Sequence, residues 1–309
     1  MAVGNERLSA TAATEIRREG PTEQVPVTGT APSPAPPRRR PLVLLGLVVA
    51  SVLFMTPFLW LLSASLKTRA EVFNGELLPN PVMWSNYLRV FEAAPVGLWL
   101  LNSVMVATLA AATVVVSSSL VAFAFAYFNF RGKGVLFGVV LATMMLPGAV
   151  TLVPQFLVWD YLGWVNTHVP LWAPNLFSSA FYVFMLRQFF RSLPRDLFEA
   201  ARMDGANPVQ IWWRIAMPLT KPALIVVALF EFKASWTDLM KPLVYLVDSE
   251  RYTMPLGLKA LLDQFGQGGV SLWEIVMAAS VIVTIPMVVI FFLGQRHFVQ
   301  GISTTGTKG

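Results

Sequence analysis

Residues Arg187–Lys221 read RQFFRSLPRDLFEAARMDGANPVQIWWRIAMPLTK, a polar island between two strongly apolar stretches. Pro194 suits a first helical turn, where a missing N–H costs nothing, and Asp196 and Glu199 suit the positive end of a helix dipole. A helix is therefore expected to start near Leu193 or Pro194. Gly205 supplies the left-handed residue that ends it, Asn207 is a good N-cap, and Pro208 a good first-turn residue for the next helix. Pro218 should stop that second helix at about Met217. Its apolar face is expected to be Val209, Trp212, Trp213 and Ala216. The island thus reads as two short helices joined by a tight corner.

The rest of the chain is far more apolar than a soluble domain: 55% of the 309 residues are hydrophobic and 13% charged, with a mean hydropathy of +0.61. It reads as a polytopic membrane protein. A net charge of +6 would fit a nucleic-acid binder, but no basic stripe interleaved with aromatics is present, and the charges are better explained by their position relative to the apolar stretches. There are no cysteines, so disulfides and thiol chemistry are excluded, and His168 and His297 lie too far apart in sequence to suggest a metal centre or a histidine triad. No cofactor is expected.

A bilayer core of about 30 Å needs roughly 20 apolar residues in a helix. Six stretches qualify: about 42–66, 98–126, 135–158, 171–190, 222–247 and 274–297. In the fourth, Pro170, Pro174 and Asn175 crowd the start, and part of it is open to being a re-entrant or interfacial turn. Residues 1–40, rich in Pro, Thr, Ala, Glu and Arg, cannot bury enough surface to offset ordering entropy and are expected to be a disordered tail. The first apolar core lies too far from Met1 for a cleaved leader, so it should be a membrane anchor. Residues 41–301 form the membrane domain, with the polar loop at 191–220, and 302–309 a second tail.

With the N-terminus inside, the inner segments hold 16 Lys and Arg and the outer segments five; without residues 1–40 the balance is still 10 to five. The positive-inside rule then places both termini and the opening stretch in the cytoplasm. Small residues in the second span, Ala107, Ala110, Ala111, Ala112 and Ser117–Ser119, allow close helix packing. Pro147–Gly148 and Pro154 should bend the third span, as is tolerated where freed backbone faces protein or a wet cavity.

The fifth span is the most informative of the six. It holds Glu231, Lys233, Asp238 and Lys241, each costing about 2.5–3.5 kcal/mol near a bilayer centre, against returns of about 0.3–0.6 from each Leu, Ile, Val or Phe. Eleven such residues between Leu224 and Leu246 do not offset the charges. At about 100° per residue, Asp238 falls about 20° from Glu231 and Lys241 about 60° beyond it, with Ser235 on the other flank and Lys233 pointing away. Two readings of this face stay open: ion pairs that hold the bundle, such as Asp238 with Lys241, or a stripe lining a solute path formed by Glu231, Asp238, Lys241 and Trp236.

Glu199, Ala200, Ala201, Gly205, Ile215 and Pro218 resemble the EAA-G-I-LP signature of permease subunits of binding-protein-dependent ABC importers, with Met217 in place of the usual Leu. Ser65–Ser103, MMLPGAVTLVPQF (Met144–Phe156), RYTMPLGL (Arg251–Leu258) and RHFVQGISTTGTKG (Arg296–Gly309) are similar to the carbohydrate-uptake, maltose-type branch. The resemblance runs from about residue 42 to the last. It implies an all-α, six-helix type I importer transmembrane domain in the cytoplasmic membrane, whose loop is a coupling helix docking onto an ATPase through Glu199, Ala200, Ala201, Asp204, Gly205, Ile215 and Pro218. It further implies a second, related permease as partner, two ATPase subunits, an extracytoplasmic solute-binding protein, a lipid surround and a carbohydrate substrate. Gly306–Gly309 resembles a tail reaching toward the ATPase. Lys241 departs from the large apolar residue common in the family after a Trp-x-Asp run.

The chain carries no nucleotide motif of its own. Gly132–Lys133 is followed by Gly134, not Ser or Thr, and no Gly stands five residues before Gly132, so a P-loop is excluded and the chain is not expected to be an enzyme. The rivals are an ion-coupled transporter using Glu231 and Asp238, and a scaffold with no path. Neither explains a helical corner at Gly205 on the ATPase side.

Overall fold

The computed structural model describes residues 41–267 and 271–303, mostly helical with no strand among them. The expected tails, 1–40 and the last residues from 304, with Gly306–Gly309, lie outside the described residues. The helices are α1 (Pro41–Ser65), α2 (Ser85–Ala93), α3 (Val96–Tyr127), α4 (Lys133–Thr143), α5 (Gly148–Tyr161), α6 (Val169–Trp172), α7 (Ala180–Ser192), α8 (Arg195–Met203), α9 (Pro208–Ile211), α10 (Met217–Leu219), α11 (Lys221–Thr237), α12 (Met240–Tyr245), α13 (Met254–Leu262) and α14 (Trp273–Ser303). The chain divides into two units after Phe54. In the described part of the first, Pro41–Phe54, the large apolar side chains are exposed, as suits a lipid-facing helix.

Three helices, Pro41–Ser65, Val96–Tyr127 and Trp273–Gln295, are long and apolar enough to cross a membrane, and three bent pairs raise the number to six. α4 and α5 meet at 95° and the α6–α7 segments at 40°. The first bend falls at Pro147–Gly148, where proline removes a ladder donor. The second falls at Ser178, with φ 69°, between a 3₁₀ turn over Ala173–Phe177 and α7. The prolines and Asn175 that crowd the start of the fourth span therefore do break it.

Within the second unit, α3 is the central post, packed against α7 and α11. Its small residues explain the closeness: Ala107, Ala110, Ser118 and Ser119 are buried, whereas Ala112 is exposed. The same serines satisfy the broken backbone beside them. Ser117 Oγ donates to Asn175 O at 2.6 Å, and Ser179 N donates to Ser118 Oγ at 3.0 Å. Such partners are what a break inside an apolar bundle requires.

Two larger clusters of side chains hold the bundle, one at each end. At the end that carries the polar loop, Phe123, Tyr182, Leu186, Phe190, Phe198, Ile211 and Trp212 pack together. At the far end, Val90, Trp99, Trp236, Met254, Leu261 and Ile275 do so. Far-end loops are fastened by side-chain amides and indoles: Asn86 Nδ2 donates to Ser65 O and Lys67 O at 3.0 and 2.9 Å, Asn102 Nδ2 to Glu250 O and Tyr252 O at 2.9 and 3.0 Å, and Trp99 Nε1 to Ser249 O at 2.7 Å. Gly257 lies against Trp99 so closely that an added Cβ would sit 2.1 Å from the indole ring. Only glycine fits there.

Candidate functional site

The helical corner forms as its capping residues dictate. α8 ends in a Schellman arrangement: Gly205 has φ 82°, its N–H donates to Arg202 O at 3.0 Å, and Ala206 N–H to Ala201 O at 2.9 Å. Asn207 then caps α9 in a reciprocal box, Gln210 N to Asn207 Oδ1 at 2.9 Å and Asn207 N to Gln210 Oε1 at 2.9 Å. Pro194, expected inside the first turn, stands at the N-cap, one place earlier. Phe198 of α8 meets Phe123 and Tyr127 of α3 edge-to-face, with centroids 6.1 and 5.8 Å apart. These contacts pin the corner to the central post.

The second helix departs from expectation in two ways. It does not stop at Met217 but runs through a π-helical turn, Trp212–Ala216, into α10 as far as Leu219. The Met217 N–H reaches back five residues to Trp212 O, and this widened turn accommodates Pro218, which has no N–H to give. The wide turn also rotates the faces. Ile211, Trp212 and Ala216 are buried, while Val209 and Trp213, expected on the apolar face, are 62% and 57% exposed. With Met203 and Leu219 they leave an apolar surface uncovered on the loop.

Of the residues expected to dock an ATPase, Glu199, Ala200, Asp204 and Pro218 are exposed, Ala201 is buried on the inner face of α8, and Ile215 is half-buried. Gly205 makes the corner with open space around its Cα, so its requirement for glycine comes from backbone conformation alone. After Leu219 a single residue, Thr220, turns the chain by 83° into α11. Thr220 is buried, and its hydroxyl donates to Ala216 O at 2.8 Å.

α11 carries the second element of the site. The fifth span was expected to continue as one helix to 247; instead it ends at Thr237 and a short α12 follows. Asp238 makes the break, its Oδ1 accepting from Met240 N at 3.0 Å and Lys241 N at 3.2 Å. A short carboxylate that bonds its own backbone competes with the helical ladder. Lys241 is therefore not 60° further round the same helix. It still faces Asp238, with Nζ to Oδ2 at 3.5 Å, as the ion-pair reading expected.

Beside this break lies a cavity of about 280 Å³, into which Glu231, Ser235, Asp238 and Lys241 project with Asn175, Ser179 and Thr253. Asn175 Nδ2 donates to Glu231 Oε1 at 2.7 Å and to Ala110 O at 3.1 Å. Thr253 Oγ1 is buried with no protein partner. Trp236, expected on the same path, is not in the wall. It is buried against α14, with Nε1 donating to Val283 O at 3.3 Å. Lys233 is exposed away from the cavity, as expected. Asn175, Ser179 and Thr253 went unrecognised in the sequence; the signal available was Asn175, a polar residue within an apolar, proline-broken stretch. Among the described residues no group of His, Asp and Glu could hold a metal.

A helical membrane bundle with a capped polar corner at one end and a charged, solute-sized cavity beside a broken helix defines a transport subunit. Residues 115–304 match the family described as binding-protein-dependent transport system inner membrane component. The chain belongs to that family. It is 30% identical over 267 residues to the arabinooligosaccharides transport system permease protein of Bacillus subtilis, covering 85% of this chain and 93% of that protein. Similarity to the trehalose/maltose transport system permease protein of Thermococcus litoralis is 32% over 274 residues, covering 88% and 98%. Similarity to the sn-glycerol-3-phosphate transport system permease protein of Yersinia pestis is 32% over 264 residues, covering 83% and 93%. Among solved structures, a bacterial ABC transporter that imports the acidic polysaccharide alginate matches with a TM-score of 0.72 and 26% identity, covering 84% of this chain and 95% of that one. The fold is that of a type I ABC importer transmembrane domain.

Proposed function

We propose that this chain is the permease subunit of an ATP-driven importer of a carbohydrate, an oligosaccharide or polyol-like solute, working with a second related permease, two ATPase subunits and an extracytoplasmic solute-binding protein. The named substrates of its relatives support the class, since arabinooligosaccharides, trehalose/maltose and alginate are all saccharides and sn-glycerol-3-phosphate is a polyol derivative. The excess of Lys and Arg on the loop side supports a cytoplasmic loop and cytoplasmic termini, with residues 41–301 as the membrane domain. The missing P-loop supports ATP hydrolysis by another chain.

One observation carries the mechanism. The corner and the cavity are joined by a single continuous path: α8, the Gly205 turn, α9 and α10, one buried Thr220, then α11, whose far end bears Glu231 and Asp238. An ATPase pair closing on Ala200, Asp204 and the exposed Met203, Val209 and Trp213, with Glu199 lining the cleft on the other side of α8, moves a capped, pinned unit. That unit has no slack before α11, so its displacement reaches the cavity wall. There, carboxylates, an amide and hydroxyls offer the hydrogen bonds a hydroxyl-rich solute needs.

The test is to purify the complex from its native membrane and measure thermal shifts of the co-purifying binding protein with neutral oligosaccharides, uronate oligomers and polyol phosphates. A shift with a member of this panel, together with ATP-dependent uptake into vesicles, is the expected result. Uptake that persists without ATP and collapses with an uncoupler would replace this reading by the ion-coupled one.

A further inference from the structure

A larger cleft, of about 630 Å³, opens where α8 lies across the ends of α3 and α7. Its floor is aromatic, built from Phe123, Tyr127 and Phe198. Its rim is basic: Arg191, Arg195 and Arg202 line it, and none of the three is ion-paired among the described residues. Lys133 stands at the adjoining corner, donating to Phe128 O at 2.6 Å and Asn129 Oδ1 at 3.4 Å, close enough to be repelled by Arg191 and Arg195. Glu199 is the one carboxylate in the wall. With three arginines to one carboxylate, the cations gathered in this concave site repel one another, and an anion bound among them relieves that repulsion.

α8 separates this cleft from the outward surface of the loop. Arg195, Phe198, Glu199 and Arg202 fall at i, i+3, i+4 and i+7 and turn toward the cleft, whereas Leu197 and Met203, at 43% and 87% exposure, stand outward. The aromatic floor adjoins α3 and α7, both parts of candidate membrane spans, so the arginines stand at the ends of those spans, where long cationic side chains meet lipid headgroups. A soluble anion has no use for that floor; an amphiphile uses both parts.

We propose that this cleft holds the phosphate headgroup of an anionic phospholipid, clamped by Arg191, Arg195 and Arg202 with its acyl chains lying along the aromatic wall, and that the lipid braces α8 against α3 and α7. Guanidinium groups suit the role because they bind phosphate oxygens in a planar, bidentate manner. The assignment to the cytoplasmic leaflet rests on the orientation proposed above.

The complex is reconstituted into nanodiscs of phosphatidylcholine alone or of phosphatidylcholine with phosphatidylglycerol. Retained phosphatidylglycerol is counted by native mass spectrometry, and binding-protein-stimulated ATPase activity is measured alongside. Phosphatidylglycerol should be retained and should raise the stimulated activity several-fold. The Arg191→Gln/Arg195→Gln/Arg202→Gln variant should lose both effects, and the corresponding triple Lys variant should keep part of each. If the triple Gln variant fails to assemble, Arg202→Gln alone should show a reduced lipid count. Undiminished retention and stimulation in the Gln variants would overturn the proposal. So would inorganic phosphate substituting for phosphatidylglycerol, which would mean a soluble ligand, or selective loss of the ATPase subunit from the Gln variant, which would mean a protein contact. Absence of any ATPase from the wild-type complex would instead count against the proposed function and leave the lipid count readable.

Discussion

The helical corner and the polar cavity lie toward the two ends of the stretch from α8 to α11 but are built in opposite ways. Every bond that shapes the corner is local: Gly205 to Arg202, Ala206 to Ala201, Asn207 to Gln210. The cavity is assembled across segments distant in the chain, with Asn175 and Ser179 from one, Glu231 to Lys241 from another and Thr253 from a third. The corner is stiff because its hydrogen bonds close within single turns. The cavity sits beside two broken helices, at Ser178 and Asp238, where backbone groups are held by side chains instead of by a helical ladder. Local bonds at the corner and bonds between segments at the cavity are the arrangement that the proposed transmission of a conformational change needs.

Substitutions at the two ends should therefore fail differently. The largest effect is expected for Gly205→Val, because a β-branched residue in the left-handed region costs about 1–2 kcal/mol or more. Membrane insertion should be normal, while substrate-stimulated ATPase activity and uptake fall by about tenfold, the equivalent of roughly 1.4 kcal/mol. Open space around Gly205 means that a steric clash cannot be the cause. Next comes Glu231→Ala, which leaves the Asn175 amide without its carboxylate acceptor, at about 1–3 kcal/mol for a donor held away from water. Uptake should drop several-fold with ATPase stimulation less affected, and Glu231→Gln, which keeps an acceptor, should recover most of it. Equal loss of both activities would erase the distinction between the two ends.

Asn207→Ala should have a smaller effect, since an N-cap is worth about 1 kcal/mol. A threefold to fivefold loss of coupling, read as ATP hydrolysed per solute imported, is expected at about that energy. Lys241→Met should do least. Its ion pair with Asp238 is partly exposed, with side chains 44% and 23% accessible, so it contributes under about 1 kcal/mol. Uptake at saturating solute should change by less than about fivefold at that energy; a tenfold loss would make Lys241 a direct solute contact.

Legibility in the sequence follows the same division. Caps at Gly205, Asn207 and Pro208 were readable because each acts within a few residues of itself. The π turn was not, because it arises from fitting Pro218 into a helix that tertiary packing against Ile211, Trp212 and Ala216 keeps going. That is why Val209 and Trp213 were expected on the wrong face. Carboxylates and a lysine in an apolar span marked the cavity, but a regular 100° rotation could not foresee that Asp238 would end the helix by bonding its own backbone. Trp236 was grouped with the polar face by proximity in sequence, whereas its indole is spent on α14. Asn175 and Ser179 belong to the cavity only because α3 offers Ser117 and Ser118 to a broken neighbour, a relation between segments about 60 residues apart.

The chain has no cysteine, so one introduced thiol reports on one place. The most direct test uses Ala234→Cys, a cavity-wall position on α11, and follows its labelling by a membrane-impermeant thiol reagent at the peptide level, with and without ATP, in the assembled complex. The account predicts that ATP changes the labelling rate in the otherwise native chain and that adding Gly205→Val abolishes the change while the complex stays assembled. An ATP response of the same size with Gly205→Val present would show that the corner does not drive the cavity, and would contradict the account.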